Sequence, residues 1–182
     1  MDCRVETTIV MQENRRALVS HPETDQRDLL YLDDLTVGDV FDSGSYTLDE
    51  ASIVRFASEF DPQYFHTDAD AAKNSVFGGL AASGWHTAGI TMRLLVTGGA
   101  HIAGGLVGVG AQLSWPKPTR PGDTLRVHSE ITEIVPSRSR PDRGIVTMKS
   151  ETRNQDGDIV QLLLATMIVP RRPTAVTRTP SG

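Results

Sequence analysis

Asp61 and His66 stand five residues apart in the stretch FDPQYFHTDADAA, with Pro62 directly after the acid. A carboxylate and an imidazole are side chains suited to moving protons near neutral pH. Asp61 follows an apolar-periodic segment, so it is expected just past the carbonyl end of a helix, where a carboxylate is electrostatically disfavoured. Breaches of a local rule cluster at functional sites, and His66 can offset this repulsion. Phe60, Tyr64 and Phe65 are expected to surround the pair with aromatic bulk that excludes water and shifts both ionisations. An acid/base dyad is one reading. The plainer alternative is a helix terminator beside a surface or packed histidine.

A second stretch, FGGLAASGWHT, puts Ser83 and Gly84 at the start of an apolar segment. Free N–H groups and the dipole at such a helix start can stabilise a developing oxyanion. Gly84 has no side chain to block a ligand. Taken alone, the same residues read equally well as a cap and a packing glycine. Dyad and helix start together suit chemistry next to a carbonyl, namely proton transfer at the α-carbon with an enolate-like transition state. His86, two residues further on, is left open between a packed histidine and a pocket wall.

These residues need a frame. Apolar spacing at Ile53, Val54, Phe56, Ala57 and Phe60 predicts a helix over Asp49–Phe60, and Pro62 pushes Asp61 into extended geometry beyond it. Thr67, followed by Asp68 and Asp70, reads as the cap of a short helix ending near Asn74. Gly84–Val96 is apolar on most sides, with Arg93 its one formal charge, and is expected to be buried. LTVGDVFDSGSYTLD reads as a short strand and turn. Four longer strands are predicted at Leu106–Trp115, Thr124–Val135, Arg143–Asn154 and Asp158–Val169, the last two joined by a two-residue hairpin at Asp156 and Gly157. The last strand is nearly continuous in apolar residues and is expected to be central and covered on both faces. A buried helix followed by long antiparallel strands defines an α+β domain in which a curved sheet wraps a central helix, the hot-dog fold. Its exposed sheet edges predict a homodimer.

Composition narrows the setting. The chain has 182 residues, enough for one domain, placed at 35–169 between an N-terminal tail, 1–34, and a C-terminal tail, 170–182, both expected to be mobile. A net charge of −5 argues against a nucleic-acid partner. Cys3 is the single cysteine, so no intrachain disulfide or cysteine-type zinc site can form, and a cytoplasmic setting is expected. The N-terminus lacks the pattern of a signal peptide, and the apolar run Leu94–Ala111 is broken by His101 and six glycines, so no membrane helix is expected. His21, His101 and His128 form no cluster in the sequence, and no metal is expected.

The motifs resemble those of the MaoC-like dehydratases, which include the R-specific enoyl-CoA hydratases. That family's Gly-Asp-x-Asn-Pro-x-His-x(5)-Ala pattern is met by Asp61, His66 and Ala72, and its Ala-x-Gly start of the central helix by Ala82 and Gly84. WPKPTRPGDTL looks like its Pro-x(3)-Pro-Gly-Asp-Thr loop, and the likeness covers roughly 35–169. Phe60, Gln63 and Tyr64 depart from the motif glycine, asparagine and proline. The resemblance implies reversible hydration of a trans-2-enoyl thioester: Asp61 and His66 activate water, the Gly84 amide holds the thioester oxygen, and Ser83 and Gln63 assist in binding. It implies no cofactor, the acyl-CoA or acyl carrier protein thioester being the substrate. Lys117, Arg120, Arg138 and Arg140 are candidates for phosphate contacts, against the alternative of a solvated turn. Two rivals share the fold. One is an acyl thioesterase, whose usual carboxylate on the central helix has no counterpart in Gly84–Val96; the other is a non-catalytic subunit.

Overall fold

The computed structural model describes residues 29–173. Five strands form one antiparallel sheet in the order β1-β3-β4-β5-β2: β1 (Val40–Thr47), β2 (Val107–Ser114), β3 (Thr124–Pro136), β4 (Arg143–Arg153) and β5 (Ile159–Pro170). Four helices accompany it: α1 (Glu50–Phe60), α2 (Tyr64–Thr67), α3 (Ala69–Ala72) and the fifteen-residue α4 (Gly84–Gly98). The concave face of the sheet closes on α4, whose Ile90, Leu94 and Leu95 meet Leu125, Val127, Ile131, Val146 and Met148 in one core. This is the α+β hot-dog architecture.

β3 carries the cleanest alternation: Leu125, Val127, Ser129 and Ile131 are buried, while Arg126, His128 and Glu130 face outward. The connection between β4 and β5 spans five residues, Asn154–Asp158, rather than two: Asn154 N–H donates to the Asp158 carbonyl, and Asn154 Oδ1 accepts from the N–H groups of both Asp156 and Asp158. β1 is a full eight-residue strand, with a register shift between Asp42 and Ser45 that absorbs its polar middle.

Two expectations of burial change in the single chain. β5 is interior to the hydrogen-bonded order, yet only one of its faces is covered; Leu164 is exposed on the other. α4 buries one side and leaves Trp85, Met92 and Val96 exposed on another, beside a β2 strand that is almost wholly exposed. Apolar composition records that a face avoids water, but not whether its own chain supplies the cover.

The packed chain also starts ahead of Leu35. Leu30 bridges to Ile102, Leu32 enters the core, and Asp33 and Asp34 on a 3-10 turn pair with Arg171 and Arg172. The leucines of LLYLDDL form one short cluster with no sustained period, which is why this segment reads as tail in sequence. The remaining parts of the two expected tails, 1–28 and 174–182, lie outside the described residues.

Candidate active site

α1 ends at Phe60 as Pro62 requires, and Asp61 turns out of the helix with φ −153° and ψ 67°. The residues that follow are partly helical. Gln63 starts the one-turn helix α2, which carries His66, and Asp68 rather than Thr67 caps α3, accepting from the N–H groups of Asp70 and Ala71. A four-residue helix is too short to leave a periodic trace. The turn brings His66 Nε2 to 3.5 Å from Asp61 Oδ2.

Each partner is held from its far side. His66 Nδ1 lies 2.7 Å from the carbonyl oxygen of Ala81. A carbonyl can only accept, so Nδ1 carries the proton and Nε2, toward Asp61, presents its lone pair in the neutral ring. Asp61 Oδ1 accepts from Gln63 Nε2 at 2.7 Å, and Oδ2 accepts from Ser83 Oγ at 2.7 Å. Burial pushes the Asp61 carboxyl up, but the Ser83 and Gln63 hydrogen bonds and the nearby His66 outweigh it and hold the group below its ordinary value. The site therefore sets two acceptors side by side.

Ser83 and Gln63, expected to assist in binding, both hydrogen-bond the Asp61 carboxylate. The Ser83 hydroxyl is buried, gives its proton to Asp61 and accepts from Trp85 N, capping α4, so it positions the carboxylate. Gln63, despite its extra methylene, spends its amide on the same carboxylate. The aromatic surround also differs: Phe60 and Tyr64 are 64 % and 52 % exposed, while Phe65 and Phe77 pack against His66 with ring centroids at 4.6 and 6.1 Å. Phe60 and Tyr64 sit on outward faces of α1 and α2, which short-range spacing alone did not reveal.

A cavity of about 300 Å³ joins His66 to the start of α4 and is lined by His66, Phe77, Gly84, Thr87, Trp115 and Lys117, among others. The Gly84 N–H opens α4 and has no acceptor among the described residues. Gly84 is small for a reason the sequence did not show. A Cβ there would lie 2.7–3.0 Å from the Trp115 indole, which fills that space and stands edge-on to Trp85. Trp115 is held in turn by Nε1–H donating to Gln161 Oε1 at 2.9 Å, and Gln161 Nε2 donates to Thr91 Oγ1. Along α4, Ser83, Thr87 and Thr91 recur every fourth residue, all buried; Thr87 bonds Thr119 at 3.0 Å and Thr91 bonds Thr152 at 2.7 Å. That four-residue hydroxyl spacing inside an apolar helix was the available sequence signal for this network.

The candidate phosphate contacts do not come together. Lys117 reaches the cavity but has Asp158 on its ammonium at 2.5 Å. Arg120 is turned inward onto backbone carbonyls. Arg138 and Arg140 lie beyond Pro136, at the opposite end of β3 from Thr124; thirteen residues at ~3.3 Å each put them roughly 40 Å along the strand. His86 is packed, stacking on Phe56 at 4.5 Å, with Nδ1 buried and without a hydrogen-bond partner among the described residues. A larger polar cleft of about 510 Å³ around Asp42, Arg126, His128 and Arg153 contains neither dyad residue. Among the described residues no group of three His, Cys, Asp or Glu side chains could hold a metal, and no helix is long and apolar enough to cross a membrane.

A helix-wrapped sheet with a paired Asp and His beside a helix start defines a recognisable class. A family model for the MaoC-like domain matches residues 34–154, and the chain belongs to the MaoC-like dehydratase family. A MaoC-like dehydratase from Rhodospirillum rubrum of solved structure is 59% identical, with a TM-score of 0.79 over 80% of this chain and 99% of that one. A 3-hydroxybutyryl-CoA dehydratase of Methylorubrum extorquens is 31% identical over 114 residues, 62% of this chain and 70% of that protein. The uncharacterized protein YdeM of Bacillus subtilis is 35% identical over 125 residues, 68% of this chain and 87% of its own. An R-hydratase from Pseudomonas aeruginosa shares the fold at 23% identity and TM-score 0.62, over 84% of this chain and 95% of that one.

Proposed function

We propose that this protein adds water reversibly across the double bond of a trans-2-enoyl thioester, the carrier being coenzyme A or acyl carrier protein. The observation that carries the reading is the 3.5 Å separation of His66 Nε2 and Asp61 Oδ2, with the Nδ1 proton committed to Ala81. Two acceptors this close are satisfied together by a donor with two protons that bridges them from one side. A water molecule is that donor. With both O–H bonds directed at Nε2 and Oδ2, its lone pairs face outward for attack on C3.

As the oxygen–C3 bond forms, the π electrons of C2=C3 move toward the thioester oxygen, where the unpartnered Gly84 N–H can receive the developing charge. His66 takes a water proton and returns it to C2, while Asp61, held ionised, orients the water and stabilises the imidazolium. Dehydration runs the same steps backward. A dyad member of this kind typically contributes ~10² to 10⁴ in rate, and an oxyanion donor roughly 3 kcal/mol.

A homodimer is part of the same reading. On the outer edge of β2 and on α4, Val109 and Met92 border an apolar cavity of about 330 Å³, and Val107 and Val96 on the same two elements are exposed. A second copy pairing along β2 would cover all of these.

The test is incubation with crotonyl-CoA, following loss of the enoyl absorbance and release of free thiol separately. Loss of absorbance without thiol release, reduced at least a hundredfold in folded Asp61→Asn and His66→Ala variants, supports the hydratase. Thiol release would favour the thioesterase, although α4 offers it no carboxylate. No reaction with any enoyl thioester would favour the non-catalytic subunit.

A further inference from the structure

We infer that Arg120 is a positioning residue for His66, acting through the loop that carries the Ala81 carbonyl; this rests on the dyad reading above. Its guanidinium makes no contact with an acidic side chain among the described residues. Nη1 donates to the carbonyls of Gly79 and Leu80 at 2.9 and 3.1 Å, and Nη2 donates to that of Phe77. Three carbonyls from four consecutive residues therefore converge on one cation. None of the three accepts another hydrogen bond among the described residues.

The loop is one that cannot order itself. It contains Gly78 and Gly79, both at positive φ, and no regular secondary structure until α4 begins at Gly84. Its N–H groups are held by Ser75, which accepts from Phe77 N and Gly78 N, and by two longer-range bonds, Ala81 N to Phe65 O and Ala82 N to Thr119 O, while the carbonyls of Phe77, Gly79 and Leu80 depend on Arg120. The carbonyl that follows the three gripped ones is that of Ala81, the acceptor that sets the His66 tautomer. Its orientation, and hence which ring nitrogen faces Asp61, follows from how the preceding carbonyls are fanned.

Arg120 is itself anchored so that it can do this. Its N–H donates to Asp123 Oδ2 at 2.7 Å, its carbonyl accepts from Asp123 N, and the buried Asp123 is held on its other oxygen by Gln155 at 3.0 Å. A planar fork with five donors can serve three carbonyls at once, whereas the single ammonium of a lysine has neither the spread nor the rigidity. The Arg-Pro-Gly-Asp turn is thus a bracket that aims a guanidinium at the dyad's supporting loop.

The experiment compares wild type, Arg120→Ala and Arg120→Lys. Long-range proton–nitrogen correlation spectra of ¹⁵N-histidine-labelled protein at pH 8 read the His66 tautomer without any substrate, so the result stands apart from whether crotonyl-CoA is turned over. Wild type is expected to show one tautomer, protonated at Nδ1, and both variants an averaged ring. In the crotonyl-CoA assay kcat is expected to fall about 10²-fold, the order of loss for a catalytic group displaced by ~1 Å, with KM changed less than threefold. Added guanidinium ion at millimolar concentration is expected to restore part of kcat in Arg120→Ala. A folded variant that keeps the single Nδ1-protonated tautomer overturns the inference. So does failure of both variants to fold, which would assign Arg120 to the fold itself.

Discussion

Replacing Ser83 by alanine removes one hydroxyl that does two things, and the two can be separated by pH. The first loss is the cap on α4, the 3.2 Å bond from Trp85 N, worth ~1 kcal/mol at any pH. The second is the 2.7 Å bond to the ionised Asp61, and a hydrogen bond to a charged group contributes ~1.5–3 kcal/mol. Asp61 sits below its ordinary value in the folded chain, so its ionisation stabilises the fold above about pH 4 and that contribution vanishes as pH falls through the folded value. Ser83→Ala should therefore cost roughly 2.5–4 kcal/mol at pH 7, the two contributions together, and the gap to wild type should shrink toward ~1 kcal/mol in acid. Urea unfolding at pH 7 and at the lowest pH where wild type stays folded measures both. The same loss should raise the acid limb of the pH–rate profile, since the Ser83 bond is one of the causes that hold Asp61 low. A destabilisation independent of pH, with an unmoved acid limb, would mean that Ser83 only caps the helix.

Gly84→Ala should force its new methyl into the Trp115 indole and cost ~1–3 kcal/mol by thermal or urea unfolding, with Trp115→Leu in the same chain recovering much of it. Val109→Lys, placing a charge on the exposed β2 strand, should convert the proposed dimer to monomer by light scattering while leaving the far-ultraviolet circular dichroism unchanged. His86 is lowered by burial first and by Arg55 second, against an opposing pull from Asp49, so the unfolded chain takes up a proton that the folded one resists and stability should fall as pH drops below about 6.5. His86→Phe, which keeps the stack on Phe56 and removes the buried Nδ1, should flatten the change in melting temperature between pH 7.5 and 5.5.

What could be read in the sequence divides by distance along the chain. Asp61 and His66 are close neighbours, and Pro62 dictates how the chain leaves α1, so the pair was visible in one short stretch. β3 announces itself by two-residue alternation, β5 by a nearly continuous apolar run, and the join of β4 to β5 by its turn residues. α2 did not, because one turn of helix has no period, and β1 was blurred by its polar middle and register shift. The supports of the site come from far off: Ser83 reaches Asp61 across 22 positions, Arg120 reaches Phe77 across 43, and Trp115 reaches Gln161 across 46. No local rule names such partners. Arg120, Arg138 and Arg140 looked alike as cations, and only the folded topology tells a backbone clamp from two solvated turn residues.

The hydroxyl ladder from Ser83 through Thr87 to Thr91 gives α4 something that aliphatic side chains cannot, a unique angular setting. Greasy surfaces tolerate slippage, whereas directional bonds to Thr119, Thr152 and Gln161 admit one rotation and one axial position. The opposite flank, where Met92 and Val96 sit, is thereby free to vary in bulk without unseating the amide at the helix start. Change at the proposed subunit contact and constancy of the reacting centre can proceed on the same helix, on separate sides.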